Sequence, residues 1–307
     1  MSQLISLPSR DGVDISVHHW SCESPKGVVV ICHGMMEHAL RYDRIAQKLS
    51  EEGYLVFVPD HRGHGITSKK TGLGFFGHNS NWFTVVDDIN NVIQHAKVQC
   101  PNGKLIIMGH SMGSFLAQSV CSKYKIDCDA LILSGTGYEP FISTLFGKGV
   151  AGLLTLLLGK EGSGAALHKI VFGPYNNRIK SPTTFVDWIS RDENEVAKYI
   201  ADPLCGQVCK ISFFYHLFSG INWIYRKGNL RKIPAQVPVY FMSGTADPLN
   251  KNGKHIKALS KTYESLGHKT TVKLYEGARH EVLNETNRDE VENDLLEFLR
   301  FIYNGAS

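Results

Sequence analysis

Short, uninterrupted apolar runs recur along this chain, each followed by a stretch whose apolar residues have helical spacing, and this alternation restricts the fold more than any other feature. The runs are GVVVIC at residues 27–32, YLVFV at 54–58, LIIM at 105–108, ALIL at 130–133 and VPVYFM at 237–242. Runs so short, without polar alternation, suit strands covered on both faces. Helical spacing follows at residues 42–52, 82–98, 111–124, 253–266 and 289–303, with one more strand expected at 271–275. Strand and helix in alternation predict an α/β fold, a mostly parallel sheet with helices on both faces. Only the opening differs: residues 3–20 alternate and break at Asp11-Gly12, which predicts an antiparallel hairpin.

After Ser134 the rhythm stops and resumes only at Val237. Residues 138–232 are therefore expected to form a helical cap (lid) inserted between strands of one catalytic domain, made of residues 1–137 and 233–307. A chain of 307 residues suits a single domain with such an insertion. The cap is expected over the C-terminal edge of the sheet, where ligands bind in open α/β folds. Within it, VAGLLTLLL at residues 150–158 is shorter than the roughly 20 residues a bilayer span needs. A lid helix, a surface-docking helix and a core helix all fit that stretch.

Composition excludes several classes of function. A net charge of +4 spread along 307 residues makes no basic patch, so nucleic acid is not an expected partner. The first residues, MSQLISLPSRDGVDI, lack the basic and apolar regions of a secretory signal. Seven cysteines, an odd number without framework spacing, fit a reducing cytoplasm. Cys205 and Cys209 have no second pair at ligand spacing and read as buried thiols of the cap. Asp60-His61-Arg62-Gly63-His64-Gly65 reads as a structured loop rather than a metal site. No metal is expected.

Chemistry enters at Gly109-His110-Ser111-Met112-Gly113, where a buried strand turns directly into a helix. That context is what a nucleophile elbow requires: glycines permit the sharp turn, and the helix N-terminus faces a developing oxyanion. A serine hydroxyl needs a positioned base, and the base an orienting acid. Asp247 lies in the loop after the 237–242 run, and His280 in the loop after the next strand, which gives the order Ser, Asp, His. Asp202 falls in the cap and Asp129 before a strand, while His268 precedes its strand and His255 falls within a helix. Ser111, Asp247 and His280 are the expected catalytic residues. One oxyanion donor is expected at the Met112 amide, and the other at Met35, in the loop Cys32-His33-Gly34-Met35-Met36-Glu37-His38 after the first buried strand. In the cap, Phe141, Leu145, Phe146, Leu153 and Leu154 are expected to face an acyl chain, with packing of the cap onto the core as the alternative.

Five blocks together resemble the monoacylglycerol lipase and lysophospholipase branch of the α/β-hydrolases: His33-Gly34 with Glu37-His38 and Arg41-Tyr42; Asp60-His61-Arg62-Gly63-His64-Gly65; Gly109-His110-Ser111-Met112-Gly113; Gly244-Thr245-Ala246-Asp247; and Glu276-Gly277-Ala278-Arg279-His280-Glu281. The stretches Trp188-Ile189-Ser190-Arg191-Asp192 and Ala201-Asp202-Pro203-Leu204-Cys205 resemble caps of bacterial members. The resemblance implies an α/β-hydrolase fold and a serine carboxylester hydrolase without cofactor. It further implies the triad Ser111, Asp247 and His280, oxyanion donors Met35 and Met112, and a mobile apolar cap that admits the acyl chain of a lipid ester. The chain departs from the animal lipase in the cap and in having Met35-Met36 after His33-Gly34. A cytoplasmic protein is expected, touching micelles or bilayers transiently through the cap. A thioesterase, a carboxylesterase of smaller esters, a peptidase and a non-catalytic ligand-binding protein are the rival readings. Serine at position 111 disfavours an epoxide hydrolase or dehalogenase, which need a carboxylate there.

Overall fold

A computed structural model describes residues 2–138, 141–226 and 228–305, apart from the side chains of residues 141 and 142. The opening hairpin pairs β1 (Gln3–Pro8) with β2 (Asp14–Trp20) in antiparallel register, Leu7 opposite Ile15. Then come β3 (Gly27–Cys32), α1 (Asp43–Glu51), β4 (Tyr54–Pro59), the short α2 (Ser68–Thr71), α3 (Trp82–Gln99), β5 (Lys104–His110), α4 (Met112–Tyr124) and β6 (Ala130–Ser134). Helices α5 (Phe141–Leu158), α6 (Ala165–Phe172), α7 (Glu193–Ala201) and α8 (Ile211–Ile224) precede β7 (Val239–Gly244), α9 (Lys254–Ser265), β8 (Thr270–Tyr275) and α10 (Arg288–Asn304).

The eight strands form one sheet in the order β1-β2-β4-β3-β5-β6-β7-β8. From β4 to β8 every neighbour is parallel, and β2 joins β4 antiparallel. Every residue of β3, β4, β6 and β7 is buried, as their unbroken apolar runs require. One face packs on Val85 and Ile89 of α3, Leu116 of α4 and Leu259 of α9. The other packs on Ile45 and Leu49 of α1 and Val291 and Leu295 of α10. β7 begins at Val239, two residues later than the apolar run, because Pro238 has no amide to donate and its carbonyl accepts from Leu131 instead.

Strand order places β3, β5, β7 and β8 so that the loops after their C-terminal ends meet along one edge. Between β6 and β7 the described residues add no strand to the sheet, only one isolated bridge from Ser163 to Lys210. Among the described residues no helix is long and apolar enough to cross a membrane.

Candidate active site

The turn from β5 into α4 places Ser111 at φ 51°, ψ −120°, a left-handed conformation that a β-carbon resists. Its neighbours make the turn feasible. A β-carbon on Gly113 would lie 2.0 Å from the carbonyl oxygen of Cys32, so only glycine lets α4 approach β3 this closely. The Ser111 amide donates to the Ser134 carbonyl at 2.9 Å, holding the elbow against the end of β6.

Asp247 and His280 arrive from the ends of β7 and β8. His280 Nδ1 lies 3.0 Å from Asp247 Oδ2, and both side chains are almost wholly buried. Asp247 also accepts from the Leu249 amide at 2.8 Å, which fixes its carboxylate plane. Burial works against a charged imidazolium at His280, but the facing Asp247 carboxylate, helped by Glu281 and Glu37, outweighs it and raises the ring above its ordinary value. His110 shows the opposite balance. Buried and beside His280, with ring centroids 4.8 Å apart, it is pushed down to about 3 and stays neutral. Gly135, at φ 52° just beyond β6, leaves room for both rings.

The His280 loop is fastened to residues 187–191. Its amides at His280 and Glu281 donate to the Trp188 and Ile189 carbonyls at 3.3 and 2.8 Å. The Arg279 guanidinium bridges the carbonyls of Asp187 and Ser190 at 2.6 and 2.7 Å, and the Trp188 ring packs 5.2 Å from the imidazole.

After β3, Gly34 and Met35 lie against the elbow. The Gly34 amide donates to Glu37 Oε1, which also accepts from the Tyr42 hydroxyl at 2.8 Å. Arg41 pairs with both Glu37 and Glu281. Met35 and Met112 both line the central cavity, and neither amide is used by a described backbone or side-chain acceptor. Met112 opens α4, so its amide has no partner within the helix.

That cavity has a volume of about 460 Å³, and Ser111 and His280 lie on its wall. Its wall carries the polar Glu37, His110, Tyr199 and Glu281, with Ser143 and Thr144 of α5, and the apolar Val150, Leu167, Val171, Leu217, Phe218 and Ile221. The structure redistributes the acyl-facing residues expected from sequence. Phe146 lines the cavity where it opens to solvent; Leu145 and Leu153 are exposed and off its wall, and Leu154 packs partly buried against the core. The Phe141 side chain lies outside the described residues. Sequence reasoning missed the α8 contribution, although Leu217 and Ile221 stand at i and i+4 on one face. The Asp60–Gly65 block is a structured loop: Asp60 accepts from the Ala39 and Ile66 amides, and His61 and His64 are buried.

A serine on a strained elbow, a histidine oriented by a buried carboxylate and two free amides beside an apolar cavity form the arrangement of nucleophilic acyl transfer. Residues 23–287 match the model of a family described as serine aminopeptidase, S33. The monoacylglycerol lipase of Mycolicibacterium smegmatis is 27% identical over 96% of this chain and 95% of its own. The human monoglyceride lipase is 26% identical over 89% of this chain and 82% of its own. Among solved structures, a thermostable carboxyl esterase from Bacillus coagulans in complex with glycerol superimposes with a TM-score of 0.90 at 30% identity, covering 98% of this chain and 99% of that one. The chain belongs to the serine aminopeptidase S33 family, in the monoacylglycerol lipase branch of the α/β-hydrolases, and is a serine carboxylic ester hydrolase.

Proposed function

We propose that this enzyme hydrolyses long-acyl monoesters of a small uncharged alcohol, monoacylglycerol foremost, through an acyl-enzyme on Ser111. His280 takes the Ser111 proton as the hydroxyl attacks the ester carbonyl, and Asp247 steadies the imidazolium. The oxyanion forms against the Met35 and Met112 amides. His280 then protonates the departing alcohol and activates the water that frees the fatty acid. Residues 138–232 serve as the cap, with residues 1–137 and 233–307 as the catalytic domain.

The observation that carries this reading is the cavity beside Ser111, walled by apolar side chains of α6 and α8 and also by Glu37 and Tyr199. Each methylene buried against the apolar wall contributes about 0.8 kcal/mol. An aminopeptidase would need a carboxylate free to receive an N-terminal ammonium, but Arg41 already engages both Glu37 and Glu281. A neutral glycerol hydroxyl suits these paired groups better. The test measures fatty-acid release from monoacylglycerol and lysophosphatidylcholine side by side, with Ser111→Ala as blank. Faster release from the glyceride is expected, and the variant should lose at least about 10⁴-fold of the activity. Faster release from the zwitterionic lipid would make the enzyme a lysophospholipase. Cleavage of short esters or thioesters alone would overturn the assignment to lipids.

We also propose transient contact with lipid surfaces through α5. Phe146, Leu153, Leu156, Leu157 and Leu158 are each more than half exposed, and Ile170 of α6 likewise. Phe146 and Ile170 of this set also line the cavity, so a surface bound there lies next to the site. Co-sedimentation with neutral phosphatidylcholine vesicles is expected, and Leu156→Asp with Leu157→Asp should reduce it while short-ester turnover persists. Equal sedimentation of variant and wild type would refute the contact.

A further inference from the structure

Outside the proposed catalytic residues, one cluster brings together three metal-ligating side chains from two parts of the chain. His38 follows the loop that carries Met35; Asp202 and Cys205 belong to the turn after α7. One ligand atom from each lies within 4.8 Å of the other two, and this is the only such group among the described residues. His38 Nε2 is 2.8 Å from Asp202 Oδ2, and His38 and Cys205 are both buried. Cys209, four residues on, is packed in the main apolar core and takes no part.

We propose that His38, Asp202 and Cys205 form a zinc site whose occupancy slows hydrolysis. The donor set is one imidazole, one carboxylate and one thiolate, which zinc accepts and hard cations such as magnesium do not. A hydrogen bond now joins the first two groups where zinc would replace the shared proton. Tetrahedral zinc with bonds of about 2.0–2.3 Å holds its ligand atoms roughly 3.3–3.7 Å apart. Cys205 therefore closes on the other two by up to about an ångström, while the His38–Asp202 pair, now 2.8 Å apart, opens by about half an ångström, with water as fourth ligand. Binding forms zinc–nitrogen, zinc–oxygen and zinc–sulfur bonds; the proton on His38 Nε2 passes to Nδ1 of the ring, and the Cys205 thiol proton is released to solvent.

The coupling to turnover follows from what this turn already holds. The Gly206 amide and the Tyr199 hydroxyl both donate to the Met36 carbonyl, at 2.9 and 3.1 Å. Met36 follows Met35 and sits at φ 61°, so the oxyanion loop is anchored to the very segment that zinc would pull. Drawing Cys205 inward while spreading Asp202 from His38 moves the turn after α7 and shifts the Met36 carbonyl and, with it, the Met35 amide. This coupling rests on the proposed oxyanion role of Met35, whereas binding itself does not.

The experiment titrates the reduced full-length protein with Co²⁺, which reports its ligands by absorption, and then with Zn²⁺ in competition. Wild type is expected to show strong tetrahedral ligand-field bands and a thiolate-to-cobalt charge-transfer band at one equivalent, both abolished by zinc. Cys205→Ser should lose the charge-transfer band, Cys209→Ser should keep it, and Asp202→Asn should weaken binding at least about tenfold. Metal-free hydrolysis of a short aryl ester by each variant verifies folding and catalysis independently of metal. Absence of the tetrahedral spectrum, or its survival in Cys205→Ser, overturns the site. Zinc should slow wild-type hydrolysis, reversibly on adding chelator, and leave Cys205→Ser unaffected; bound zinc without slowing overturns the coupling.

Discussion

The strain at Ser111 and the charge balance at His280 are the two quantities on which the site turns. A φ of 51° at a serine is unfavourable by itself, and persists because Gly113 lets α4 pack onto β3 and the Ser134 carbonyl holds the Ser111 amide. At His280 the Asp247 carboxylate raises the imidazole above its ordinary value, and in the proposed mechanism only the neutral ring accepts the Ser111 proton. Activity should thus fall as the pH drops through that raised value, which puts the acidic limb of kcat/KM above pH ~6.5. Asp247→Asn should lower activity by about 10⁴-fold and move the residual limb to lower pH. A limb left in place would remove Asp247 from its proposed role. Sequence places 111 and 247 after the buried strands β5 and β7 and 280 after the half-exposed edge strand β8, and the structure brings His280 to Asp247. The cavity-lining residues were not legible, since apolar side chains at 145, 146, 153 and 154 look alike until the helix is oriented. Only Phe146 of these has a described side chain on the cavity wall.

Among the elements, strands and helices of the sheet were read closely from apolar runs because burial on both faces leaves no other pattern. Helix α5 was harder to read. Its 18 residues carry a single charge, Lys148, and an apolar second half, and periodicity cannot separate a lid, a docking face or a core helix in such a stretch. The structure gives it two sides: Ala151 is fully buried, while Leu156 is 82% exposed. The 187–191 segment behaves differently, because Arg279 and two backbone hydrogen bonds tie it to the His280 loop. Arg279→Met removes both guanidinium bonds and leaves the Asp187 and Ser190 carbonyls without this donor. The expected result is a kcat reduced by about 10–100-fold with KM little changed, as when a group orienting an essential residue is lost. Stopped-flow and steady-state hydrolysis of an aryl ester would separate the two constants. A rise in KM alone would show that the segment shapes the cavity without positioning the histidine.

At the scale of the whole molecule, four neutral imidazoles lie in the interior around the site. Burial pushes His33, His64 and His110 down to about 3 and His61 well below its usual value. In the unfolded chain each titrates near pH ~6.5. Between those limits the unfolded state binds protons that the native state refuses, so stability rises with pH and is lost as the solution is acidified below about 6.5. Thermal unfolding should show Tm falling steadily from pH 7 toward pH 4, more shallowly in His64→Gln, and a flat Tm across this range would contradict it. The sequence by itself determined the α/β alternation, the interruption after β6 and the chain order Ser111, Asp247, His280, because burial and turn chemistry act over neighbouring residues. Only the tertiary structure decided which residues between β6 and β7 face the cavity, that Arg41 is shared by Glu37 and Glu281, and that His38 meets Asp202 and Cys205. Those contacts join residues more than 160 positions apart in the cluster, and 240 apart between Arg41 and Glu281. No local pattern encodes a pairing created by strand order and by the seating of the helices.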